Sequence, residues 1–231
     1  MSNSVAQAIS QIRQQIAQAE AAAGRAPGSV QLLAVSKTFP AAAVREAYTT
    51  GQRAFGENYV QELQAKAVEL ADLAIEWHFI GPLQSNKTRI VAETAQWVHS
   101  IERLKIAERL SGQRPASMPP LQVCVQVNVS GEESKSGCAP EQAKALAHAV
   151  ADLPGLQLRG LMCIPEATDD PLRLQAQFDL LRQLFDELRA DGLILDTVSM
   201  GMSADMEQAI AGGSTMVRVG TAIFGARHYH A

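Results

Sequence analysis

Apolar residues at positions 5, 9, 12, 16, 19 and 23 recur every three or four residues, the spacing of one helix face, and Gly24 stands where that helix should end. Beyond it the pattern changes to an alternation. Short runs rich in β-branched and aliphatic residues, at 31–36, 53–55, 76–80, 97–100, 121–127, 157–162, 193–198 and 215–219, predict strands. Helical patterns fall between them at 40–50, 57–70, 84–94, 102–111, 140–152, 171–190 and 203–211. The clearest is 171–190, where Leu174, Phe178, Leu181, Phe185 and Leu188 follow one another at spacings of four and three. Gly51, Gly112, Gly192 and Gly212 stand just past predicted helix ends, where a left-handed backbone is expected.

Eight strands, each but the last followed by a helix, predict an α/β protein: a (β/α)8 TIM barrel with an extra N-terminal helix, one domain over 1–231. The competing architecture is an open doubly wound sheet, which shares the alternation. The count of eight, the lack of a G-x-G-x-x-G after the first strand, and polar motifs after many strands favour closure. In a barrel those loops converge on one mouth, whereas an open sheet would separate them.

Composition narrows the function classes. The 231 residues are 47% hydrophobic and 19% charged, with a net charge of −4 and no basic block, so no nucleic-acid partner is expected. No apolar run approaches the ~20 residues that span a membrane, and the N-terminus lacks the layout of a secretion signal. Cys124, Cys138 and Cys163 are odd in number and far apart, which argues against a disulfide framework and against zinc. The expectation is a cytoplasmic protein without a metal.

Lys37 follows Leu32-Leu33-Ala34-Val35-Ser36 at the expected C-terminal end of the first strand. Strand side chains alternate, so Leu33, Val35 and Lys37 share a face. If that face lines the barrel, an ammonium sits at the mouth over an apolar floor. Desolvation there would favour the neutral, nucleophilic amine suited to Schiff-base formation. On Lys37 alone, a lysine snorkelling to solvent is the competing reading. In the last strand Met216, Arg218 and Gly220 share a face, which would place a guanidinium inside the barrel, where it needs a partner. Gly220 and Thr221 then open a segment fit to hold a phosphate, and Ser199-Met200-Gly201-Met202-Ser203 forms the loop after strand seven, a common barrel phosphate position. Ser203 is placed to cap the next helix, with Asp205 in its first turn. Asn58 follows strand two and can reach the mouth or merely end a turn; His78, within strand three, reads as a core or wall residue. Gly81 to Thr88 is only a broken match to a P-loop, and 131–137 reads as a solvated loop able to gate the mouth.

Several motifs together resemble one family. They are Ala34-Val35-Ser36-Lys37, Phe55-Gly56-Glu57-Asn58-Tyr59-Val60-Gln61-Glu62, Trp77-His78-Phe79-Ile80-Gly81 continuing Pro82-Leu83-Gln84-Ser85-Asn86-Lys87, Ser134-Lys135-Ser136-Gly137, Arg159-Gly160-Leu161-Met162, and the 199–203 loop with 216–225. Spread in order over nearly the whole chain, they resemble the pyridoxal 5′-phosphate (PLP) homeostasis family, the YggS/PROSC type. That resemblance implies a barrel like the N-terminal domain of alanine racemase, with Lys37 holding PLP as an aldimine. It implies Arg218 at the pyridine nitrogen, Ser203, Gly220 and Thr221 at the phosphate, and Asn58, Ser199 and Met200 around the ring; His78 is carried over with them. The family is regarded as non-catalytic, binding PLP and delivering it to apo-enzymes, and so affecting vitamin B6 and amino-acid balance.

The physics of those roles agrees. A guanidinium does not give up its proton, so it disfavours a pyridinium ring and weakens the electron sink that carbanion chemistry needs. Racemases set two bases on opposite faces of the coenzyme, one from a second domain. Here the chain ends about ten residues after the phosphate motif, Tyr48 and Tyr59 fall in predicted helices, and Tyr229 lies in the tail. A monomeric PLP carrier is therefore expected. The rival readings are a PLP-dependent racemase-like enzyme or decarboxylase, a Schiff-base aldolase taking a phosphosugar, and an interaction protein with a degenerate pocket.

Overall fold

Reciprocal capping starts the first helix, α1 (Val5–Ala22): Ser4 Oγ accepts from the Gln7 N–H while Gln7 Oε1 accepts from the Ser4 N–H. Its buried face of Ile9, Ile12 and Ile16 lies against α2 (Ala41–Thr49), α8 (Met206–Ala211) and α9 (Thr221–Phe224), so α1 bridges the first and last helices of the ring. The computed structural model describes residues 4–132 and 135–225.

Inside that ring run eight parallel strands: β1 (Gln31–Val35), β2 (Ala54–Glu57), β3 (Glu76–Phe79), β4 (Trp97–Ile101), β5 (Leu121–Gln126), β6 (Leu156–Met162), β7 (Thr197–Ser199) and β8 (Met216–Val219). β1 pairs with β2 on one side and β8 on the other, with Leu33 opposite Arg218, so the sheet closes and the open alternative is excluded. The remaining helices are α3 (Val60–Glu69), α4 (Thr88–Thr94), α5 (Leu104–Gln113), α6 (Pro140–Ala151) and α7 (Pro171–Ala190).

Alternation along the strands sorts the core into two layers. Leu32, Ala34, Val217 and Val219 point outward and join the large layer between barrel and helices. Leu33, Val35, Ala54, Ile80 and Met216 point inward and form a separate interior cluster, while Trp97, Cys124 and Met162 form another. Lys37 continues the inward face, over the apolar floor its spacing foretells.

Several boundaries differ from the pattern. The run at 193–198 yields a strand only at Thr197–Ser199, because α7 ends in a Schellman motif. Gly192 takes φ 97°, its N–H donates to Arg189 O and the Leu193 N–H donates to Leu188 O, so Leu193 serves the helix cap, while Ile194 is left exposed. Gly112 lies inside α5 rather than past it. At the end of α8, Gly212 has φ −75° and Gly213, at φ 97°, supplies the left-handed turn. α3 begins at Val60 because β2 continues to Glu57. α8 begins at Met206, and Asp205 rather than Ser203 stands at its N-cap.

Two features behind the mouth make predictions. A Cβ on Gly81 would lie 2.1 Å from the backbone oxygen of Asn58, so only glycine lets the β3–α4 loop rest on that segment. Gly81→Ala should destabilise the protein by about 1–3 kcal/mol in urea denaturation. Glu57 is fully buried and bonded to Lys66 and Ser36, and burial pushes its carboxyl up to about 7. Because the folded state holds that proton more tightly than the unfolded chain, Glu57 favours folding below its ordinary range, an advantage lost as pH rises to 7. Relative to Glu57→Gln, the native protein should lose at most about 3 kcal/mol of stability between pH 4.5 and 8 in paired urea titrations.

Candidate functional site

The C-terminal ends of β1, β2, β3, β6, β7 and β8 surround a cavity of about 300 Å³ at the barrel mouth. Lys37, Asn58, Ser203, Arg218, Gly220 and Thr221 line it, with Val35 and Ile80 below and Phe39, Ile164 and Met202 toward the rim. The six polar and glycine positions come from four separate loops and strand ends, which closure alone brings together. Phe39 also meets the Phe224 ring at 5.3 Å, tying the turn after Lys37 to α9. Asn58 Oδ1 is buried without a hydrogen-bond partner among the described residues.

Arg218 is 4% exposed and forms no ion pair among the described residues. Its Nη1 donates to Ser199 Oγ at 2.8 Å and its Nη2 to Cys163 O at 2.8 Å, both uncharged acceptors. Burial lowers its pKa from the ordinary value, but an arginine retains its proton.

Ser199 carries the contact onward. Its Oγ lies 2.8 Å from His99 Nδ1, His99 Nε2 lies 2.9 Å from His78 Nδ1, and His78 Nε2 lies 2.9 Å from Glu76 Oε1. The carboxylate end and the neutrality of the two imidazoles together set the direction of the protons. Burial disfavours the charged form of both imidazoles and an ionised Glu76 carboxylate can only accept, so His78 donates to Glu76, His99 to His78, and Ser199 to His99. Both imidazoles are then neutral with the proton on Nε2. Their pKa values agree: burial pulls His78 down and pulls His99 well down, while the His78 hydrogen bond holds the Glu76 carboxyl below its usual range. A single file of hydrogen bonds thus crosses the interior from the start of β3 to the mouth, with His78 stacked on Trp97 at 5.2 Å.

The expected site residues divide accordingly. Lys37, Asn58, Ser203, Arg218, Gly220 and Thr221 share the cavity. Ser199 touches it through Arg218, and His78 stands two hydrogen bonds further back. Met200 is fully buried in the outer layer; its carbonyl accepts from Ser214 Oγ. Tyr59 stands just before α3 and is 53% exposed, while Tyr229 lies outside the described residues. Of the 131–137 loop, Glu133 and Ser134 lie outside them too, and Lys135 Nζ donates to Pro165 O beside the mouth. His99 and the Cys163 carbonyl were not foreseen. The signal for His99 was its inward position, two residues from Trp97, opposite an arginine that needed acceptors.

Comparison with known proteins gives the family. Residues 8–228 match the family described as alanine racemase, N-terminal domain. A Pseudomonas aeruginosa protein named pyridoxal phosphate homeostasis protein is 61% identical, over 99% of this chain and 98% of its own. A Vibrio cholerae protein of the same name is 57% identical, covering 98% of each chain. The structure of PipY from Synechococcus elongatus with PLP bound superposes with a TM-score of 0.81 at 42% identity, over 91% of this chain and all of that one. This chain belongs to the alanine racemase N-terminal domain family, among its pyridoxal phosphate homeostasis proteins.

Proposed function

We propose that this protein binds PLP at the barrel mouth through Lys37, holds it reversibly and delivers it to PLP-dependent apo-enzymes, without transforming amino acids itself. The observation that carries the reading is the meeting of Lys37 and the enclosed Arg218 guanidinium in one cavity. The fit is specific in chemistry. Lys37 offers the amine that an aldehyde requires, and Asn58, on the same cavity wall, brings a side-chain amide to the ring. Ser203, Gly220 and Thr221 gather on the wall where a phosphate monoester would rest. PipY, 42% identical and solved with PLP bound, supports PLP as the ligand.

When bound, PLP supplies an aldehyde for covalent attachment and a pyridine ring able to accept electrons. Arg218 governs the second property. Its N–H groups can donate to a ring nitrogen but leave it unprotonated, which keeps the ring a weak electron sink. Lys37 is the one amine among the side chains lining the cavity, and no imidazole, carboxylate, phenol or thiol lines it beside Lys37 to serve as a second base among the described residues. The rim is open, with Ile164 40% and Met202 38% exposed, which suits release better than exclusion of water. The whole chain is read as one barrel unit, acting as a cytoplasmic monomer.

Lys37→Ala should abolish borohydride-stable labelling by PLP and weaken binding at least tenfold, measured by mass spectrometry and equilibrium dialysis. Label retained on another lysine would reassign the attachment point. Arg218→Glu, which replaces a donor by an acceptor at the ring nitrogen, should shift the visible absorption of bound PLP; an unchanged spectrum with full binding would place Arg218 away from the ring. With PLP present, the purified protein should leave the enantiomeric composition of each proteinogenic amino acid unchanged over hours, by chiral chromatography. Sustained turnover of any of them would make it an enzyme.

A further inference from the structure

The turn that carries Lys37 is held from behind by charge. Residues 36–39 form a four-residue turn closed by the Phe39 N–H donating to Ser36 O. Its third residue, Thr38, has φ 69°, the one positive φ outside glycine among the described residues. Glycine or asparagine normally occupies that position, and a β-branched residue there is strained. Something must compensate, and α3 provides it.

Lys66 Nζ donates to Ser36 O at 2.8 Å, and the Thr38 N–H donates to Glu62 Oε2 at 2.8 Å. Lys66 and Glu62 are themselves paired at 3.0 Å, one helical turn apart. The two peptide units on either side of Lys37 are therefore gripped by the two ends of one ion pair. Beneath it Glu57 fixes Lys66 at 2.6 Å and Ser36 Oγ at 2.6 Å. Lys66 is 6% exposed, so it is held against these partners rather than solvated. Such bonds, with an ionised donor or acceptor, are about twice as strong as neutral ones.

We propose that the Lys66–Glu62 pair is a positioning clamp: it holds Thr38 in the left-handed conformation that aims the Lys37 amine into the cavity, so that covalent capture of the aldehyde depends on it. In that capture the amine nitrogen attacks the aldehyde carbon, a carbon–nitrogen double bond forms, and the aldehyde oxygen leaves as water with both amine protons. Glu62 and Lys66 do not line the cavity and act through the backbone alone. The inference rests on Lys37 being the attachment point proposed above.

The test separates capture from binding. PLP retained by the folded protein is measured by equilibrium dialysis, and the fraction covalently attached by borohydride reduction and peptide mass spectrometry. Glu62→Ala should reduce the Lys37-attached fraction at least fivefold while total PLP retained changes less than the attached fraction. Adding Thr38→Gly, which takes the left-handed conformation without strain, should restore at least half of the loss. Glu62→Gln, which keeps an acceptor for Thr38 but loses the charge toward Lys66, should fall at least twofold, and serves if Glu62→Ala does not fold. Native-level attachment in these Glu62 variants, or a loss that Thr38→Gly does not recover, would overturn the clamp. Absence of attachment to Lys37 in the unsubstituted protein would instead overturn the binding reading beneath it.

Discussion

An arginine enclosed in a barrel costs several kcal/mol unless its N–H groups find acceptors, and most of this interior is arranged around that requirement. Among the described residues Arg218 meets no carboxylate. Instead its charge is spread along neutral hydrogen bonds, through Ser199, His99 and His78, to the Glu76 carboxylate at the start of β3. The arrangement keeps the guanidinium ionised at the wall of the cavity. A carboxylate placed beside it would have neutralised the site. The file ends on Ser199, which accepts from the arginine, and burial keeps both of its imidazoles neutral.

The second organising feature is that two backbones, not two side chains, are prepared in advance. The Lys37 turn is gripped by α3, and the Asn58 segment rests against Gly81. Both belong to loops at the C-terminal ends of strands, where barrels collect their functional groups. Rigid placement of a small number of groups suits a protein that must take up an aldehyde readily. The open rim, with Ile164 and Met202 exposed, suits one that gives it back.

Much of this was legible in the sequence, for identifiable reasons. Short β-branched and aliphatic runs separated by helical patterns gave the eight-stranded count, and strand alternation alone placed Leu33, Val35 and Lys37 on one face and Met216, Arg218 and Gly220 on another. The interior cluster of Leu33, Val35 and Met216 matches that parity. What escaped was whatever depends on which strands face each other across the barrel. His99 and Ser199 are a hundred positions apart and meet only because the sheet closes. The role of Leu193 was hidden because an apolar residue that caps a helix looks like one that starts a strand. The grip of Lys66 and Glu62 on the Lys37 turn could not be read either, since their spacing on α3 also describes an ordinary exposed helix pair.

The central claim is that one cavity brings the Lys37 amine and the Arg218 guanidinium to opposite ends of the same PLP ring. A crystal structure of the protein grown with PLP tests it most directly. The account predicts continuous density from Lys37 Nζ to the coenzyme, with the ring nitrogen within hydrogen-bonding distance of Arg218 and the phosphate beside Ser203, Gly220 and Thr221. Density joined to a different lysine, or a ring turned with its nitrogen away from Arg218, would contradict it.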